Sequence, residues 1–342
     1  MGLATDSLDI IPDYKKTPQE VYIDVARTQI NSTQNLDIIT QSLWPLGQTS
    51  STAPHAQSMY SDNPSSLVES LPSWLPNFSC TITKKILFAQ RSIFSAGAEK
   101  CKCPVEIGSD GALTITGIVL GAIKTMKPTR KMLYWGGQNF SPWARDWMPD
   151  GLLDPNSKDK SYVTGGNAFE AYWRTLMTDC LAYPSRRLSQ DDLKEYTEIF
   201  NEWRQKASLL PLSDPEPGKI GKYDGDQDLL YQMGGVASRT GTSSLMREWQ
   251  FAELDGGLYA TVPWERRLSG DGKSSKIGDL VVAVDGGKVP LVLRERNNTS
   301  HHENNGVKWE VIGTAYAHGF MDGLASQWAG DGKLARTDFD LI

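Results

Sequence analysis

The chain has 342 residues, with 35 basic against 41 acidic side chains and a formal net charge of -6. That balance argues against a nucleic-acid partner, because phosphate neutralisation needs a clustered surplus of Lys and Arg. No apolar run approaches the ~20 residues of a membrane span, and Asp6, Asp9 and Asp13 stand where a secretory leader would be basic and then apolar. The expectation is a soluble, cytoplasmic protein with no membrane partner.

Residues 1–17 read as a linker. Thr17-Pro18-Gln19-Glu20 then predicts a helix over 18–33: Thr17 caps, Pro18 fits the first helical position, and Glu20 completes a capping box. Val21, Tyr22, Val25, Ala26 and Ile30 fall on one face of it. A short apolar stretch, 36–46, precedes residues 47–67, which are rich in Ser, Pro, Gly and Asn and read as a flexible loop. Residues 71–79 return to the folded body with Trp74 as anchor. Short strands are expected at 86–88 and 92–94. A longer one is expected at 113–119, where Leu113, Ile115 and Gly117 alternate with Thr114, Thr116 and Ile118.

Tyr134, Trp135, Phe140, Trp143 and Trp147 then crowd among Gly, Pro and Asp, and the chain carries 11 Trp in all. Arg145 and Asp146 inside this group read either as a ligand-binding pair or as an ion pair closing a packed loop. A helix over 167–181 carries an apolar stripe of Ala168, Ala171, Tyr172, Leu176 and Met177, with Arg174 and Asp179 on its polar side. Another starts from Ser189 as N-cap, with Asp191 and Asp192 in its first turn, and runs to Lys206. Residues 212–227 are punctuated by Pro, Gly and Asp and read as a linker. Gly234-Gly235 and the stretch 239–244 read as a surface turn. A phosphate-holding loop is disfavoured there, since neither a Walker lysine nor a G-x-G-x-x-G after a strand is present. Residues 245–254 look helical.

The most regular pattern comes last. Strands are expected at 257–262, 280–284, 291–294 and 309–315, the second ending at Gly286-Gly287 and the third opened by Pro290. The fold class is therefore α+β, with a helical and mixed N-terminal part (18–211) packed on a small C-terminal antiparallel β meander or barrel (228–330). Residues 331–342 are read as a tail.

Within this stretch the ordered set Gly278, Asp279, Val281, Pro290, Leu293, Arg294, Gly313, Tyr316, His318, Gly319, Met321, Asp322 and Gly323 resembles the C-terminal region of fungal heterokaryon-incompatibility (HET) domain proteins. Residues 2–30, GLATDSLDIIPDYKKTPQEVYIDVARTQI, are similar to the segment that follows the HET domain in that family. Residues 71–79 and 165–179 also look like family landmarks. The resemblance implies that the HET domain itself, which the family links to cell-death signalling, is missing ahead of Met1. The chain is then either a stand-alone version or the product of a shortened reading frame.

Four cysteines, Cys80, Cys101, Cys103 and Cys180, make no disulfide framework at this length. The Cys101-Lys102-Cys103 spacing lacks a second ligand pair, so neither a metal nor another cofactor is expected. The available imidazoles are His55, His301, His302 and His318. His318 is the candidate with chemistry around it, grouped with Asp322, Arg294 and Glu310 if the strands pair in sequence order. The alternative is that Tyr316, His318 and Asp322 satisfy one another around a glycine-rich turn.

Two function classes follow. One is a non-catalytic accessory or regulatory region of a HET-family protein, acting in fungal non-self recognition through a protein partner or the missing HET domain. The other is a stand-alone relative recruited to a fungal secondary-metabolite pathway. It would bind or convert an apolar small molecule against Trp135, Trp143, Arg145 and Trp147, with His318 or Asp146 as acid or base.

Overall fold

The computed structural model describes residues 13–41, 71–76, 93–97, 100–101, 105–127, 147–154, 160–181, 185–208, 227–240, 249–264, 274–296 and 307–342. Two compact units divide the chain: residues 1–123, 262–315 and 319–342 form unit 1, and residues 124–261 with 316–318 form unit 2. The boundaries thus fall near 123 and 261, whereas the sequence pointed to a single break within 212–227. Residues 212–226, the loop 47–67 and the expected strand at 86–88 lie outside the described residues; of the strand expected at 92–94, Ile93 and Phe94 are described and are not in a strand.

Unit 1 begins with helix α1 (Pro18–Thr33), started as its sequence requires. The Thr17 side chain accepts from the Glu20 backbone N–H while the Glu20 carboxylate accepts from the Thr17 N–H at 2.8 Å, with Pro18 in the first turn. The helix stops at Gln34, which turns left-handed (φ 53) and donates its N–H to the Ile30 carbonyl. Ala26 and Ile30 are its fully buried residues, and Tyr22 and Ile23 pack partly against the same core.

Five strands build the rest of that core: β1 (Leu113–Met126), β6 (Leu280–Val284), β7 (Leu291–Arg296), β8 (Lys308–Thr314) and β10 (Arg336–Leu341). The strands that intervene in sequence lie in unit 2, save the last two residues of one of them. β1 pairs antiparallel with β6, β6 with β7 and β7 with β8; β8 runs parallel to β10, and β10 closes back antiparallel onto β1. The result is a closed ring in which each of the five strands has two neighbours, the small-barrel solution to the edge-strand problem. The predicted meander is present as β6–β7–β8, but the ring is mixed in direction and recruits β1 from far upstream. Residues 331–342, read as a tail, supply β10.

Alternation sets the inward face. Leu113 and Ile115, Val282 and Val284, Leu291 and Leu293, Val311, and Phe339 with Leu341 share one cluster with α1, Leu36, Ile38, Ile39, Trp74 and Leu75. Thr114 and Thr116 point outward and hydrogen-bond Asp340 and Asp338 across the β1–β10 pair. At Gly117 a Cβ would lie 2.6 Å from Val282 Cγ1, so glycine is what lets β6 cross β1 there. Just beyond, the β1–β6 register shifts between Val119 and Gly121. This bulge lets β1 run seven residues past the expected end at 119, to Met126.

Unit 2 holds α2 (Ala168–Leu176), β2 (Cys180–Leu181), β3 (Arg186–Arg187), α3 (Gln190–Ser208), α4 (Gln227–Thr240), β4 (Trp249–Leu254), most of β5 (Tyr259–Pro263) and β9 (Tyr316–Ala317). β5 was expected beside β6; it pairs instead with β9, through Ala260↔Ala317 and Thr261↔Tyr316. β4 replaces the predicted helix at 245–254. Trp249, Gln250, Phe251, Ala252 and Leu254 are all buried, and a short run buried on both faces carries no period that separates strand from helix. Gly234 and Gly235, read as a turn, lie inside α4, where Met233, Val236, Ala237 and Thr240 supply the buried stripe. α3 follows its prediction: Ser189 and Asp192 cap reciprocally, and Tyr196, Ile199, Phe200 and Trp203 face inward. Trp173 of α2 stacks on Phe200 at 5.1 Å. With both helices and sheet in place, the α+β class holds. Among the described residues no helix is long and apolar enough to cross a membrane.

Candidate functional site

β9 is two residues long, yet it places the candidate imidazole. Its pairing with β5 is extended by the His318 N–H, which donates to the Tyr259 carbonyl at 2.9 Å. Extended backbone puts residues two apart on one face, so Tyr316 and His318 lie side by side, with Tyr316 Oη 3.0 Å from His318 Nδ1. Gly319 (φ 87) then turns the chain away. The His318 ring packs edge-on to Tyr162 at 5.3 Å, and Tyr162 lies 5.0 Å from Tyr259, whose N–H donates to the Tyr162 hydroxyl at 2.7 Å. Phe251 and Tyr172 extend this aromatic group, with centroid spacings of 5.3 Å.

A charged group completes the site. Asn167 caps α2, accepting from the N–H groups of Phe169 and Glu170. At its far end α2 stops at Leu176 rather than 181, because Thr178 (φ 51) and Asp179 (φ 56) both turn left-handed. Such a conformation costs about 1–2 kcal/mol per non-glycine residue, and the ion pairs made by Asp179 oppose that cost. Arg174 Nε donates to Asp179 Oδ1 at 2.8 Å, and Arg187 Nη2 and Nε donate to Oδ2 at 2.6 and 3.1 Å. Arg174 also holds Glu170 at 3.0 Å. The β2–β3 pairing of Cys180 with Arg187 fixes the second guanidinium. Asp179, expected on the polar side of a longer helix, is only 2 % exposed. Its burial follows from the turn, which points the carboxylate at two cations.

Burial and this charge set fix the protonation states. Burial, then the positive Arg174, pushes His318 down to about 4, with Asp179 pulling weakly the other way. Burial, then Asp179, holds the Tyr316 phenol well above its ordinary value. Burial raises Tyr162 as well, and pushes Tyr259 up to about 12. Burial alone would lower Arg174, but the bonded Asp179 carboxylate outweighs it and keeps the guanidinium charged. At neutral pH the site thus holds a neutral imidazole and neutral phenols beside the ion pairs that Asp179 makes with Arg174 and Arg187. An imidazole with so low a proton affinity is a poor general base at pH 7. The same arrangement serves well as a hydrogen-bonded plug in a core.

Two of the residues grouped with His318 on the sequence have ion-pair partners of their own. Arg294 binds Asp279 through two bonds of 2.8 Å and the Ser274 carbonyl at 2.7 Å. Asp279 in turn accepts from the Lys276 N–H, which ties down the loop entering β6. Glu310 lies opposite Arg294 in the β7–β8 register but pairs with Arg296 at 2.8 Å. Asp322 is exposed. Of the aromatic candidates, Trp147 is buried, while Trp135, Trp143, Arg145 and Asp146 lie outside the described residues.

Sequence reasoning missed Arg174, Asp179, Arg187, Tyr162 and Tyr259 as site residues. The one available signal was an acidic residue directly after a buried helical stripe, where a helix end leaves room for a left-handed turn. Among the described residues no group of three or more His, Cys, Asp or Glu is gathered to hold a metal ion. Comparison with protein-family models, with curated proteins and with solved structures found no match to the chain.

Proposed function

We propose that the chain is a non-catalytic accessory region of a HET-family protein, acting in fungal non-self recognition through protein contacts. The observation that carries this reading is the state of His318, the one imidazole in the C-terminal pattern. It is buried, neutral, and engaged by Tyr316 within a packed aromatic group. Other members of the pattern have structural duties that need no substrate: Asp279 and Arg294 lock each other, and Gly319 and Gly323 take left-handed turns.

The test is co-expression in a filamentous fungus with a HET domain supplied on a separate chain, scoring dye-positive dead cells and co-purification. The expected result is that this chain co-purifies with the HET domain and alters the death response. A His318→Gln variant should act in proportion to its folded fraction. No co-purification and no change in the death response would overturn the reading. So would a folded His318→Gln protein that binds normally but has lost its effect, since that outcome assigns chemistry to the imidazole.

A further inference from the structure

α3 and α4 pack side by side in unit 2 and leave an open groove of 600 Å³ along their seam. Ile199 lies in its floor, and above Gly235 a Cβ would meet nothing within 4 Å, so the groove is open where α4 lacks a side chain. Its α3 wall carries Glu195, Glu198 and Glu202, and one cation, Arg239, faces them from α4.

These three carboxylates stand at i, i+3 and i+7 on one ridge, so each repels its neighbour along the helix. Two of them have cations of their own: Arg239 Nη2 holds Glu195 at 2.7 Å while its guanidinium lies 5.2 Å over the Tyr196 ring, and Lys206 holds Glu202 at 2.7 Å. Glu198 sits between them, exposed, without a cation from the described residues. The groove therefore combines one apolar floor residue, Ile199, and the side-chain-free Gly235 with a wall that carries a net negative charge, and Gln232 completes its lining.

We infer that the α3–α4 groove docks a basic amphipathic helix. Its apolar residues enter the space over Ile199 and Gly235, and its Lys or Arg side chains pair with Glu198 and Glu202. The charge on the groove wall favours a cationic partner and disfavours an acidic one. A helix laid in the groove presents residues at i, i+3, i+4 and i+7, the spacing that matches a seam between two helices. This inference names the partner chemistry for the interaction role proposed above and rests on that role.

The test uses the full chain and a fluorescent peptide of about five helical turns made of Leu and Lys at amphipathic spacing, with a Leu/Glu peptide as its counterpart. Anisotropy should show saturable binding of the Leu/Lys peptide only, weakening as salt is raised. Glu198→Lys with Glu202→Lys should reduce affinity by roughly tenfold or more. Gly235→Leu, which fills the groove without changing charge, should do the same. Asp331→Lys, a charge change of the same kind in unit 1, should leave binding within about twofold, and circular dichroism checks each fold.

Binding that responds equally to Asp331→Lys and to the groove variants overturns the inference, as does binding indifferent to Gly235→Leu. Self-association of the wild-type chain, abolished by the groove variants and with no peptide bound, would place a second copy in the groove and also overturn it. None of these outcomes affects the HET-domain co-purification result, so the two readings fail separately.

Discussion

The ring of unit 1 and the core of unit 2 around His318 solve the same problem with different materials. The ring excludes water with aliphatic side chains on alternating strand positions, from Leu113 and Ile115 round to Phe339 and Leu341. Around His318 the interior is made of phenols, an imidazole and a carboxylate clamped by two guanidiniums. An apolar core tolerates small errors of position, whereas a polar one must satisfy every member or lose the desolvation energy of each. The ring should therefore fail by loss of volume, and the polar core by loss of a partner.

The largest expected effect tests the first half of that contrast. Phe339→Ala removes a fully buried ring that packs edge-on to Trp309, and urea unfolding should show a loss of about 4 kcal/mol. A loss below about 1 kcal/mol would mean that the ring collapses around the cavity. Next comes Asp179→Asn, which keeps both shape and the left-handed conformation while removing the charge between Arg174 and Arg187. About 3 kcal/mol should be lost by the same measurement, although almost no volume changes.

A comparable contribution is expected from pH alone. His318 sits at about 4 in the fold against 6.5 unfolded, so below 6.5 the unfolded chain binds a proton that the native state refuses. Stability is therefore unaffected by this group above pH 6.5 and falls as pH drops from 6.5 towards 4. The slope is about 1.4 kcal/mol for each pH step of one, and the total loss about 3 kcal/mol. Unfolding midpoints measured across this window should fall more steeply for the wild type than for His318→Ala. Parallel curves would show that the imidazole is not the group responsible.

The smallest effect concerns strain. Gln34 is left-handed on the surface, and among the described residues its side chain bonds only Lys100, so Gln34→Gly should raise stability by about 0.5 kcal/mol. A loss instead would show that the Lys100 contact outweighs backbone relief.

The ring was largely legible because its signals are local. Thr17 to Glu20 specify a helix start within four residues, and the apolar runs at 280–284 and 291–293, one ended by Gly286-Gly287 and the other opened by Pro290, specify strands before any partner is known. What was not legible is which strand comes next to which. β1 ends at Met126 and β10 begins only at Arg336, and nothing in either segment names the other. The polar core was less legible still. Asp179 reads as a surface acid until its φ of 56 is known, and Arg187 enters only because β3 folds back on β2. The assignment of Arg294 to the His318 group failed for the same reason: Asp279, at the entry to β6, was nearer in the fold than the spacing along the strands implied.

Closure of the ring also sets an order on synthesis. β10 emerges from the ribosome after every strand it must join, and both of its neighbours, β1 and β8, are by then already exposed. Until Arg336–Leu341 is released, each presents a row of unpaired backbone groups to the cell. A stop codon between Thr314 and Arg336 would make that waiting state permanent.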